Sequence, residues 1–124
     1  MSKKPKNKPS LLILTEADVA AIRFALELIP YTPVDSEEQT SVNLLCRDIA
    51  LAAISPGPVK LSFGPLRIVT AALEEVVLRA DGSYPGTALP LPLLQALPFH
   101  TAACRRLLPA FSAAYDQLKT RLDM

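Results

Sequence analysis

The chain has 124 residues, half of them apolar and a fifth charged. That composition excludes disorder throughout, and the length suits one domain burying roughly 65% of the surface its unfolded chain exposes. A formal net charge of +1 conceals an asymmetry: Lys3, Lys4, Lys6 and Lys8 stand together at the start, while the body beyond them carries more acids than bases. Two cysteines and one histidine exclude a disulfide-dense secreted scaffold and leave too few ligands for a structural zinc site.

Residues 1–10 read as a flexible basic tail and residues 11–124 as a single helical domain. The apolar run Leu11 to Leu14 meets Glu16 and Asp18 too soon to be the core of a secretory signal, so a cytoplasmic location is expected. Thr15, with Asp18 three residues on, forms a capping-box pattern that opens a first helix. Val19, Ile22, Leu26 and Ile29 continue it at helical spacing until Pro30 stops it.

Ser36 and Gln39 repeat the capping pattern, and Glu37 and Glu38 suit the positive end of a second helix. Its apolar stripe is Val42, Leu45, Ile49 and Ala52, expected to face the core, and Ser55, Pro56, Gly57 and Pro58 break it. A third helix follows Ser62 with Pro65 in its first turn. Its stripe is Leu66, Val69, Leu73 and Val76, and it ends at Arg79 and Gly82.

The proline-rich connection from Ser83 to Pro98 is expected to be irregular, with Pro92 able to open a short turn. The last helix spans about Thr101 to Leu122 on the stripe Cys104, Leu107, Phe111, Ala114 and Leu118, with Pro109 kinking or splitting it. The uncharged run Gly82 to Cys104 is too broken by prolines to span a membrane.

Shifting Leu14 to Ile29 by 47 residues lands on Leu61 to Val76 without a gap. Leu14, Ala25, Leu26 and Glu27 match Leu61, Ala72, Leu73 and Glu74, which suggests repeat halves 11–55 and 59–122. Apolar stretches before the two matching helices, Leu11 to Leu14 and Val59 to Leu61, could pair as a very short two-stranded ribbon. The expected fold is mainly α: about four helices as two helical hairpins.

No catalytic constellation emerges. His100 and Cys104 stand one turn apart but lack an orienting third group. The glycines are too scattered to cradle phosphate, and no nucleophile elbow is present. Glu74 and Glu75 read as a solvated face, since adjacent helical residues point about 100° apart. No cofactor and no metal are implied.

Two surfaces remain. Leu91, Leu93, Leu94 and Phe99 are candidate anchors of a protein interface, whether for another protein or for a homodimer. Lys3, Lys4, Lys6, Lys8, Arg105 and Arg106 are candidate phosphate contacts, the basis of an alternative accessory nucleic-acid-binding or regulatory role. The leading expectation is a non-catalytic helical protein acting through protein contacts.

Overall fold

The computed structural model describes residues 12–32, 34–82 and 88–122. The tail with its four lysines, and part of the proline-rich connection, lie outside the described residues. The element order is β1 (Leu12–Leu14), α1 (Glu16–Glu27), a 3-10 turn (Ile29–Tyr31), α2 (Glu37–Ala53), β2 (Gly57–Val59), α3 (Phe63–Ala80) and α4 (Leu91–Leu122). The protein is mainly helical, with one short antiparallel ribbon.

Local chemistry sets the helix ends. The Thr15 hydroxyl accepts from the Asp18 amide at 3.1 Å, and an Asp18 carboxylate oxygen accepts from the Thr15 amide at 2.9 Å. This is the full reciprocal box. At α2 only half of the expected box forms: Ser36 Oγ accepts from the Gln39 amide at 3.1 Å, while the Gln39 side chain turns inward to Asn43. Ser62 precedes α3 without a side-chain cap. At the far end of α3, Gly82 has φ +73° and its amide donates to the Arg79 carbonyl. A left-handed residue just past a helix strongly favours glycine.

The ribbon pairs Leu12 with Val59, Ile13 with Pro58 and Leu14 with Gly57. Its second strand starts two residues before the expected Val59. Leu12, Leu14 and Val59 turn into the core, while Ile13 and Pro58 face outward. Proline is tolerated at the edge of so small a sheet.

Helices α1 and α3 form the centre. Val19, Ile22, Leu26 and Ile29 are buried, and so are Leu66, Val69, Leu73 and Val76. Both expected stripes therefore face the core. Helix α4 lies along α3 and also against α1, burying Leu97, Cys104, Leu107, Phe111 and Ala114. It begins at Leu91, well before the expected start, and runs on through Pro98 and Pro109. Each proline removes one amide donor, to the carbonyl of Leu94 or Arg105. Those two residues and both prolines are exposed, so water can satisfy the freed carbonyls.

Helix α2 departs most from expectation, because its buried residues are Asn43 and Ala50 rather than the apolar stripe. It packs mainly on α3. A Cβ at Gly64 would lie 3.0 Å from Cys46 Sγ, so the missing side chain permits the close approach of the two helices. The inward side of α2 joins Asn43, Cys46 and Ala50 to partly buried Leu44 and Leu51, which pack against the core, and leaves Val42, Leu45 and Ile49 largely outward.

Ionic ties bind α4 to the rest. Arg106 pairs with the buried carboxylate of Asp18, and Arg105 with Asp81 at 3.0 Å. Burial pushes the Asp18 carboxyl up, but the bonds from Thr15 and the bond and charge of Arg106 outweigh it and hold the group below its usual value. A depressed folded pKa contributes stability above the unfolded pKa and loses it as pH falls through the folded one. The difference in urea midpoint between the wild-type protein and Asp18→Asn is accordingly expected to persist at neutral pH and to shrink as pH falls below the ordinary aspartate value of about 3.9 and through the lowered folded one.

Candidate protein-contact surface

Residues Val42, Leu45 and Ile49 are 48%, 62% and 47% exposed. Ala52 is exposed beside them. Along a helix these four fall within an arc of about 80° and follow the 3-4-3 spacing of a coiled-coil seam. α2 thus carries a continuous aliphatic stripe that the other described parts of the chain leave about half exposed. Sequence periodicity found these residues and assigned them to the wrong side. The signal that could have corrected the assignment is the set Asn43, Cys46 and Ala50, small or polar residues at helical spacing that suit a close helix contact.

The start of α4 presents a second apolar area, but a divided one. Leu91 is 63%, Leu94 51% and Phe99 85% exposed. Leu93, expected among the anchors, instead packs partly buried against the core. Leu94 and Phe99 point about 140° apart around the helix axis, so they cannot share one seam.

Arg105 and Arg106 each already have an acidic partner, in Asp81 and Asp18. A phosphate would have to compete with those carboxylates. The tail lysines that would join them lie outside the described residues.

His100 stacks on Phe24 with ring centroids 4.7 Å apart. Cys104 is fully buried, and its Sγ lies 3.8 Å from the Ala21 carbonyl. Burial pushes its thiol up to about 12, so it carries negligible thiolate at neutral pH and is no nucleophile. Among the described residues, no group of three His, Cys, Asp or Glu side chains could hold a metal ion, and no helix is long and apolar enough to cross a membrane.

A cleft of about 500 Å³ opens between the start of α2, the 3-10 turn and α3, lined in part by Asp35, Asn43, Arg67, Glu74 and Glu75. Its buried polar groups satisfy one another. Asn43 Oδ1 accepts from Gln39 at 2.8 Å and from Arg67 at 2.9 Å. Glu75, read from sequence as part of a solvated face, is buried, accepting from Arg79 at 2.7 Å and from the Thr32 hydroxyl. Among the described residues no buried side-chain nitrogen or oxygen lacks a partner. These groups fasten α2 and the 3-10 turn to α3 and have no need of a ligand.

In comparisons with known proteins, no family model, curated protein or solved structure matches the chain.

Proposed function

We propose that this protein is a non-catalytic helical module that acts by binding protein, with the α2 stripe of Val42, Leu45, Ile49 and Ala52 as its contact surface. The supporting observation is the continuous exposure of aliphatic side chains at seam spacing on a helix whose opposite side is fitted to α3. Scattered surface leucines are ordinary, whereas a contiguous apolar patch on a small protein marks an interaction site. Helix-in-groove and helix-pair recognition both use anchors at this spacing.

The repeat halves 11–55 and 59–122 belong to the same proposal. The shift of 47 residues makes Leu12 and Val59 equivalent, and these two are direct partners in the ribbon. A pseudo-two-fold axis through that pair would exchange the contact of α1 with α4 for that of α3 with α2, and both contacts exist. In such an arrangement α2 is the outer helix of the first half.

A photo-crosslinking residue at position 45 tests the contact reading. Expressed in cells, the labelled chain is expected to form discrete protein adducts that the same label at exposed Ala113 does not give. Equal, featureless labelling from both positions would remove the reading.

A further inference from the structure

Resting on that contact surface, we propose that the partner covering α2 is a second copy of this chain, docked with the two α2 helices antiparallel about Leu45. Leu45 stands at the middle of Glu37–Ala53. A two-fold axis there brings Val42, Leu45 and Ile49 of the two copies together, sets Ala52 beside the other copy's Glu38, and makes the interface isologous.

The charges at the two ends of α2 set the direction. Glu37 and Glu38 form its first turn and belong to no salt bridge among the described residues. At the other end, exposed Arg23 donates to the Ile54 carbonyl at 3.3 Å, with no carboxylate in salt-bridge range among the described residues. Antiparallel docking brings the acidic end of each copy to the Arg23 end of the other, twice per dimer. Parallel docking would stack each acidic pair on its own image.

The helix dipoles favour the same choice, with each partially negative C-terminus beside a partially positive N-terminus. β-branched Val42 and Ile49 alternating with Leu45 follow the order of parallel two-stranded seams, but over so short a seam the end charges dominate the direction. Asp48, near the centre, is already paired with Arg47 at 3.1 Å, so it adds little repulsion across the axis.

Size sets the expected strength. The helix is about 25 Å long at 1.5 Å per residue. Its stripe offers a few hundred Å², below the roughly 800 Å² per partner of a standard stable interface. The dimer is therefore reversible, forming in the micromolar range and above.

Sedimentation of the purified full chain, from micromolar to millimolar, tests this. The mass is expected to rise from monomer to dimer with concentration. Leu45→Glu and Ile49→Ser, at positions exposed enough to leave the fold intact, are expected to hold it at monomer while still unfolding cooperatively in urea, with midpoints close to that of the wild-type monomer at low concentration. Arg23→Glu and Glu38→Arg are each expected to weaken association roughly tenfold, because each alters two symmetric ion pairs. The double variant Arg23→Glu/Glu38→Arg is expected to recover most of that loss.

A monomer throughout the range overturns self-pairing, while adducts from position 45 to a different protein would leave the contact reading standing. A dimer in which the double variant binds no better than the single variants overturns the antiparallel arrangement.

Discussion

Replacing Phe111 with alanine is expected to lower the unfolding free energy by about 3–5 kcal/mol, the range for losing a buried aromatic side chain. Phe111 is fully buried and heads the largest enclosed side chains of the protein. It lies where α4 runs beside α3, with the Thr70 hydroxyl 3.4 Å from the Phe111 carbonyl. Truncation there removes apolar contacts and leaves a cavity that α1, α3 and α4 cannot close without moving together. Domains of ordinary stability have about 5–15 kcal/mol in total, so the variant should unfold at a much lower urea midpoint. Phe99→Ala on the same helix is the control. With Phe99 85% exposed, its loss is expected to change stability by no more than about 0.5 kcal/mol. Equal effects from the two substitutions would contradict the placement of α4.

The contrast between those phenylalanines shows where sequence reading succeeds. On α1, α3 and α4 the most apolar arc of each helix is also the arc that packs, so periodicity locates the core. On α2 the two properties separate. Val42, Leu45 and Ile49 form the regular apolar stripe, yet the arc that packs holds Asn43, Cys46 and Ala50 beside partly buried Leu44 and Leu51. Periodicity measures apolarity, whereas packing also depends on size and on what the facing helix offers, here Gly64 and Arg67. The candidate site lies in that disagreement, so its residues were legible and its exposure was not.

Pro98 misled for a related reason. Pro92 opens a helical turn as its position allows, in the first turn of α4 where no amide partner is lost, but the helix then runs on through Pro98 instead of ending before it. Pro98 is exposed, as is Leu94, whose carbonyl it leaves without an amide donor. A proline breaks a helix most effectively where the freed carbonyl cannot reach water, and burial is not written in the local sequence. The Glu74–Glu75 pair likewise looks like surface until the spacing of Glu75 and Arg79 is considered. That i to i+4 order is the favourable one for an ion pair on a helix.

That pair carries the other large effect. Arg79→Ala is expected to cost about 3–5 kcal/mol, the penalty for removing one member of a buried ion pair. The Glu75 side chain is only 3% exposed and that of Arg79 9%, so removing the guanidinium leaves a carboxylate held chiefly by the Thr32 hydroxyl. Arg79 also donates to the Tyr31 carbonyl at 3.2 Å, and its loss releases the 3-10 turn from α3. The decisive comparison is the double variant Glu75→Leu/Arg79→Leu. Replacing both charges with apolar side chains removes the desolvation cost together with the attraction, and such exchanges are often close to neutral. The Thr32 hydroxyl can still donate to the Leu28 carbonyl, now at 3.3 Å, and partly exposed Tyr31 can turn its carbonyl to water. Urea unfolding is therefore expected to find the double variant more stable than Arg79→Ala. The reverse order would mean that Arg79 acts mainly through the Tyr31 carbonyl, by fixing the turn, rather than by neutralising Glu75.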